Sequence, residues 1–154
     1  MDPASKWPFS SIVLALAGVA LTGVGLYFIV LRPALLPEDV RYMGLSAAQI
    51  DAVRPRLDAW LTHVFRVMGG YIFATGALTI TLASTSFREH RWSAAVGALI
   101  GGAASIGLMA AVNFMIDSDF KWVLLAMALV WSFSLILFWF EKTNTNRQKS
   151  PVDG

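Results

Sequence analysis

The chain has 154 residues, of which 56% are hydrophobic and only 14% are charged, a composition that excludes an ordinary soluble domain and indicates a membrane protein. Its formal charge is +2, and it contains no cysteine, which excludes thiol–disulfide exchange and thiolate metal sites. The sequence has no stripe of basic residues of the kind that predicts nucleic-acid binding.

Uncharged stretches of the chain predict its transmembrane helices. Four such stretches, of about 19 to 25 residues, separate short clusters of charge, and each is long enough to cross the roughly 30 Å of a bilayer's hydrocarbon as a helix. The sequence therefore predicts an all-α, four-helix transmembrane bundle. The spans are expected at about 9–31, 64–84, 93–116 and 122–140, in a single domain of residues 1–141. Residues 142–154 are polar and are predicted to form a disordered tail.

The segment 32–62 is expected to form a short helical loop on the outer side of the membrane. Pro37 suits the first turn of a short helix, and Glu38 and Asp39 complement the positive end of its dipole. Gly44 suits the left-handed residue that ends such a helix. A short helix near the end of the first span is therefore predicted.

A second short helix is predicted directly after the first. Ser46 and Gln49 have the spacing of a capping box, which favours a helix from Ala47 to about Arg54. Pro55 is expected to end or kink this helix and to begin the next one. The outer loop should thus lead directly into the second span.

Small residues predict how the spans pack, because helices in lipid gain little from hydrophobic burial against each other. The third span is rich in them, and we expect it to be the central helix, in contact with at least two neighbours. Packing within one chain is the favoured interpretation, and a homo-oligomer interface is the alternative. The residues predicted to mediate helix packing are Gly69, Gly70, Gly97, Gly101, Gly102 and Ser105.

One polar cluster is predicted at the outer rim of the membrane. Arg66 should lie roughly 15 Å from the midplane, and Asn113 and Asp117 fall at a similar depth on the third span. We expect Arg66 to pair with Asp117, since a charge at the lipid edge needs a partner or a route to water. The candidate binding residues are Arg54, Arg56, His63, Arg66, Asn113 and Asp117.

Three interpretations of this cluster remain open: a structural clasp between the second and third spans, side chains that reach water without pairing, and a ligand-binding or catalytic site. No catalytic residue, metal site or cofactor is predicted. His63 and His90 lie on opposite sides of the membrane and cannot share a metal ion, and His90 is expected to be a solvated loop residue. The spans carry no ionisable group near the midplane, which disfavours a pump.

Three segments, LPEDVRYMGLSAAQI, HVFRVMGGY and NFMIDSDFKW, resemble recurring blocks of small four-span proteins of the bacterial inner membrane. The resemblance implies an integral inner-membrane protein with a structured outer loop, and it implies no catalytic residue. The distribution of Lys and Arg around the spans favours cytoplasmic N- and C-termini.

The expected function is that of a non-enzymatic accessory, scaffolding or self-associating membrane component. Its expected partners are the lipid bilayer and either further copies of the chain or a larger membrane complex, and no nucleic acid. The alternative is a binding protein or an enzyme that holds a lipid, a quinone or another small molecule at the outer rim. A co-purified ligand would distinguish the two.

Overall fold

The structure, a computed structural model that describes residues 7–149, is helical with short connecting loops. Its helices are α1 (Phe9–Val30), α2 (Pro37–Met43), α3 (Ala47–Ser84), α4 (Trp92–Gly102), α5 (Leu108–Met115) and α6 (Lys121–Lys149), and a π-helical turn (Ala103–Gly107) joins α4 to α5. Within these residues, four helical stretches are long and apolar enough to cross a membrane: Phe9–Val30, Ala48–Ser84, Trp92–Met115 and Lys121–Thr145. The predicted all-α four-helix bundle is confirmed.

The connecting segments divide between the two ends of the bundle. We call one the cap end; it carries α2, the first turns of α3 and the loop 116–120. The other is the terminal end, where α1 begins, the loop 85–91 lies and α6 finishes. The third span, which consists of α4, the π turn and α5, runs from the terminal end to the cap end.

The central helix of the bundle is α1. It packs along α3 on one side and along α6 on the other. The interface with α3 is close because glycines from both helices face it. A Cβ atom added to Gly69 would lie 2.8 Å from the carbonyl oxygen of Gly25, and one added to Gly76 would overlap the hydroxyl of Thr22. Glycines of the first two spans therefore allow α1 and α3 to pack closely.

The third span is not the central helix, although it contacts two neighbours as predicted, α6 and α3. The third span packs against α6, and its closest contact with α3 involves α4, in the terminal half of the bundle. Gly102 does mediate packing, since an added Cβ would overlap the indole of Trp131, whereas Gly70, Gly97 and Gly101 have open space there. Small residues permit close approach, but they do not determine which of their faces meets a neighbour.

A buried tryptophan fixes the third span to α6. The side chain of Trp131 is only 4% exposed, and its Nε1–H donates to the carbonyl oxygen of Ala98 at 2.9 Å. An indole N–H inside a bilayer has no water to bond and needs such an acceptor. Trp131 therefore sets the position of α4 along α6.

Local signals predict the cap well, with one exception. The helix α2 begins at Pro37 and ends before Gly44, whose φ is +64°, and Ser46 caps α3 through the N–H of Gln49. However, α3 continues through Pro55 instead of ending there. The carbonyl that Pro55 leaves without a helix bond lies in the exposed segment 51–56, where water can bond it.

The last helix is longer than the sequence indicates. The sequence predicts disorder from residue 142, whereas α6 continues without interruption to Lys149. Residues 150–154 of the predicted tail lie outside the described residues. Leaving the membrane does not end a helix by itself, because the segment 142–149 contains neither glycine nor proline.

Candidate ligand-binding chamber

The structure does not assemble the polar cluster predicted around Arg66. Arg66 and His63 are exposed on α3, and no ion pair joins Arg66 to Asp117 among the described residues. Asp117 instead pairs with Lys121, which lowers the pKa of the aspartate by hydrogen bonding and by its positive charge. Asn113 donates from its side-chain amide to the carbonyl oxygen of Met109, in its own helix, at 2.8 Å.

The other predicted binding residues lie on the outside of α3. The guanidinium of Arg54 is 3.4 Å from a carboxylate oxygen of Asp51 and 3.5 Å from one of Asp58. Arg56 is exposed. The side chains of Arg54 and Arg56 lie on the surface of the first turns of α3, at the cap end. Of the six predicted residues, Asn113 is the one that belongs to the lining of the cavity described next.

The space between α3 and the third span is a chamber of about 1150 Å³ in the cap half of the bundle. On the first span its lining begins at Ala20 and ends at Arg32, just after α1. It extends from Val64 to Thr75 on α3 and from Ala104 to Ile116 on the third span. About a dozen residues of helix rise roughly 18 Å, so the chamber reaches through about half of the hydrocarbon.

The wall of the chamber is apolar. The deepest polar groups, on Thr75 and Ser105, donate to the carbonyl oxygens of Tyr71 and Gly101 at 2.8 and 2.6 Å, within their own helices. Around them lie aliphatic and aromatic side chains from all four spans. They include Val24, Phe28, Val64, Phe65, Met68, Ile72, Leu108, Met109, Leu124 and Met127. This surface suits an apolar chain.

The chamber is open sideways, between α3 and the third span. Val67 and Tyr71 on one rim are 61% and 73% exposed, and Leu108 on the other rim is 59% exposed. At this depth such side chains face acyl chains. A lipid-soluble molecule therefore has a route into the chamber from one leaflet without crossing water.

Arg32 closes the chamber at the cap end. Its side chain is only 8% exposed, and one of its guanidinium nitrogens lies 3.3 Å from a carboxylate oxygen of Asp39. Another donates to the carbonyl oxygen of Pro33 at 2.9 Å. The guanidinium carbon lies 3.4 Å from the centre of the Phe65 ring. A buried arginine is thus neutralised by a carboxylate and held by cation–π stacking.

Glu38 is the second buried ionisable residue at this end. It is 3% exposed and lies in the lining of the chamber. Ser118, which is 2% exposed, donates from its hydroxyl to the Glu38 carboxyl at 3.4 Å. Within residues 7–149, no ion pair joins Glu38 to a cation. We call Arg32, Glu38, Asp39 and Ser118 the polar end of the chamber.

Two sets of contacts hold α2 over the polar end. The N–H of Leu36 donates to the Asp39 carboxylate at 2.9 Å and thereby caps α2. At the other end of α2, Arg41 donates to the backbone carbonyl oxygen of Asp117 at 2.8 Å and lies 3.4 Å from the Asp119 carboxylate. The loop 116–120 therefore positions both Ser118 and the cap.

A further polar cluster lies at the terminal end. His90 was expected to be solvated, but its ring stacks on Phe138 and its Nε2 lies 3.1 Å from the Glu141 carboxylate. The hydroxyl of Ser10 donates to the same carboxylate at 2.5 Å. In a catalytic triad the histidine lies between the serine and the carboxylate, whereas here Glu141 lies between Ser10 and His90. This arrangement is therefore not that of an activated serine nucleophile. The cluster ties α1, the loop 85–91 and α6 together.

Sequence reasoning missed the polar end because Ser118 and most of the chamber wall are distant in the chain from Arg32, Glu38 and Asp39. Glu38 and Ser118 are 80 residues apart, and Glu38 and Asp39 were assigned to the dipole of α2 alone. The available signal was Arg32 itself, the first charge after a long apolar span. In the part of the chain that is described, no group of three or more His, Cys, Asp or Glu residues could hold a metal ion.

Comparison with known proteins yields no match: the chain fits no family model, and neither a curated protein nor a solved structure is significantly similar to it. The resemblance of three segments to small inner-membrane proteins stays a prediction. A functional assignment therefore has to be argued from the chamber.

Proposed function

We propose that this protein binds an amphiphilic lipid or lipid-like small molecule in the chamber, with the apolar chain against the wall and the head group at the polar end. The observation that carries the proposal is the combination of a long apolar cavity with buried polar groups at one end only. Ligand binding was the alternative function considered from the sequence. The residues proposed here are those of the polar end and the chamber wall, and not the cluster predicted around Arg66.

The size of the chamber supports an occupant of lipid dimensions. Protein interiors are close-packed, with few voids larger than a water molecule. Small-molecule pockets usually measure about 300–1,000 Å³, and the chamber, at about 1150 Å³, exceeds that range. A bundle that served only as a scaffold would gain packing energy by filling this space with side chains.

The polar end supports an occupant with a head group. Burying a polar or charged group away from water is costly unless it gains partners. Arg32 and Glu38 are both buried next to the open apolar volume. In a bundle that holds no ligand, apolar residues at these two positions would avoid the free-energy cost of burying ionisable groups. A bound head group would explain their presence.

The proposal is tested by filling the chamber with a side chain. Gly23 lines the chamber and Gly97 does not, yet an added Cβ has open space at both positions. Lipid that stays bound to wild type, Gly23→Phe and Gly97→Phe would be quantified by native mass spectrometry after release from a mild detergent. We expect retention to fall about tenfold in Gly23→Phe, equivalent to ~1.4 kcal/mol, and to stay unchanged in Gly97→Phe. An empty wild-type protein, or equal retention by both variants, would contradict the proposal.

Self-association or scaffolding is the second candidate function, and one observation favours it. Gly97 and Gly101, on α4, have open space where a Cβ would lie, and a second helix can approach such a face closely. The same Gly97→Phe variant tests this function. A dimer in the native mass spectrum of wild type that disappears in Gly97→Phe would support it, and a monomer in both would count against it.

We also propose that the chamber faces the outer side of a bacterial inner membrane. The positive charges around the spans favour a cytoplasmic terminal end, and the four spans require some membrane as the environment. The lateral opening would then admit molecules from the outer leaflet.

A further inference from the structure

The polar end carries more acidic than basic groups. Its ionisable members are Arg32, Glu38 and Asp39, which give a formal charge of −1 as the sum of one positive and two negative groups. The ion pair between Arg32 and Asp39 cancels one of each. The acid that remains is Glu38, whose described side-chain hydrogen bond comes from the neutral hydroxyl of Ser118.

Arg32 is poorly placed to bind an anion from the chamber. Its guanidinium already faces Asp39 and donates to the carbonyl oxygens of Pro33 and Ala34 at 2.9 and 3.5 Å. One face of the group is covered by the ring of Phe65. Recognition of phosphate usually needs a guanidinium fork with free donors. The hydrogen bonds described for Arg32 use three of its five N–H groups, and its charge is already balanced by Asp39, so a phosphate would have to compete with that carboxylate.

The next basic group at the cap end is also engaged. Arg41 bonds the backbone of Asp117 and lies near the Asp119 carboxylate, and it is not part of the chamber lining. Lys121 pairs with Asp117. A phosphate at the polar end would therefore lose its hydration beside the carboxyl groups of Glu38 and Asp39, and the arginine of the lining, Arg32, is already paired with a carboxylate.

We infer that the chamber selects amphiphiles whose head group donates hydrogen bonds and carries no net negative charge, such as a hydroxyl or an amine, over lipids that carry a phosphate. The Glu38 carboxyl is the acceptor that such a head group meets. The Glu38 carboxyl is bonded by the Ser118 hydroxyl and has capacity to accept a further hydrogen bond from a donor head group, whereas a phosphate offers acceptor oxygens and loses its hydration there. This inference rests on the proposed function of the chamber.

Three probes that share one alkyl chain test the inference: hexadecanol, hexadecylamine and hexadecyl phosphate. Each is titrated into the full-length wild-type protein in a non-ionic detergent, and occupancy is measured by native mass spectrometry. We expect the alcohol and the amine to bind at least about tenfold more tightly than the phosphate, the size of effect that one unfavourable charge contact of ~1.4 kcal/mol produces. Equal affinities, or preference for the phosphate, would overturn the inference.

Two isosteric variants identify the group responsible. Glu38→Gln removes the buried acid and should reduce the preference to less than about threefold, mainly through tighter phosphate binding. Asp119→Asn is the matched control, because Asp119 is a carboxylate at the same end that is 70% exposed and lies outside the lining; it should leave the preference unchanged. Equal effects of both variants would mean that the preference comes from the overall negative charge of the cap end and not from contact with Glu38. That result would overturn the inference.

The outcomes separate this inference from the proposed function. Saturable binding of all three probes with no preference among them removes the inference and leaves the proposed function standing. Absence of saturable binding by any probe removes both. Because the preference is measured on wild type, the test remains decisive even where Glu38→Gln fails to fold.

Discussion

The guanidinium of Arg32 lies 3.4 Å from the centre of the Phe65 ring, with the carboxylate of Asp39 3.3 Å away. One arginine thereby joins the end of α1 to α3 and to α2. Asp39 is seven residues from Arg32 along the chain, whereas Phe65 belongs to the next span, and their meeting point closes the chamber. The stability of the cap end should therefore depend on Arg32 more than on any exposed arginine.

Arg32→Ala should lower the free energy of unfolding by up to about 3 kcal/mol, because it removes a buried cation and leaves Asp39, whose side chain is only 22% exposed, without its counter-ion. Arg32→Lys should cost less, since it keeps the charge but loses the planar stacking. Arg41→Ala is the control: Arg41 is 53% exposed, and loss of an exposed ion pair costs ~1 kcal/mol or less. Denaturant unfolding in detergent measures all three. Equal losses at Arg32 and Arg41 would contradict the prediction.

The stacking itself is testable by a double-mutant cycle. Arg32→Ala and Phe65→Leu should show a coupling energy of about 0.5–2 kcal/mol, as expected for a partly desolvated cation–π contact. The cycle uses the same unfolding measurement. If the two changes were additive, Phe65 would be a packing residue only.

An extra methyl group in the interface between α1 and α3 should destabilise the protein. In Gly76→Ala the new Cβ overlaps the Thr22 hydroxyl, and overpacking of this kind costs about 1–3 kcal/mol. Gly97→Ala, where the Cβ meets open space, should be neutral or stabilising, by up to ~1 kcal/mol from helix propensity. Thermal melts in one detergent compare the two variants. A loss at Gly97 equal to that at Gly76 would show that the α4 face is packed against a second molecule.

The loop 116–120 should lose stability in acid. Lys121 lowers the pKa of Asp117 from its ordinary value of 3.8. A lowered native pKa stabilises the fold above that ordinary value, and the contribution disappears as the pH falls through the native pKa. The difference in melting temperature between wild type and Lys121→Met should therefore be constant from pH 7 to about pH 5 and shrink below it. The effect is small because the aspartate is 73% exposed.

Asp117→Asn is the control for this pH dependence. Asp117 has a φ of +53°, a left-handed conformation that asparagine also adopts readily. The variant should keep the loop and lose the acid-dependent part of the stability. A melting temperature that depends on pH as in wild type would assign the effect to another group.

The orientation of the bundle can be checked with single cysteines, because the chain has none of its own. The charge distribution predicts that Asp119→Cys, at the cap end, reacts with a membrane-impermeant maleimide in intact cells. Glu89→Cys, in the loop 85–91 at the terminal end, should react only after the membrane is permeabilised. Both native side chains are well exposed, at 70% and 66%. The reverse labelling pattern would show the opposite orientation.

The sequence by itself determined the features that depend on local chemistry. The spacing of charges located four spans, because a helix in lipid needs an uninterrupted apolar stretch. The bounds of α2 and the start of α3 follow from Pro37, Gly44 and Ser46, whose effects act within one turn. Of the two alternatives predicted at Pro55, an end of the helix is wrong, because a proline disrupts a helix less where water can bond the carbonyl that it frees.

Only the tertiary structure decided which faces of the spans meet. Gly97 and Gly102 are both among the small residues of the third span that were predicted to mediate packing, yet one faces open space and the other faces Trp131. The chamber follows from that choice, since the third span leans on α6 and leaves α3 at the cap end. Glu38 and Ser118 then meet across 80 residues of chain. Contacts of this kind depend on the positions of whole helices, and no local rule of spacing or capping contains them.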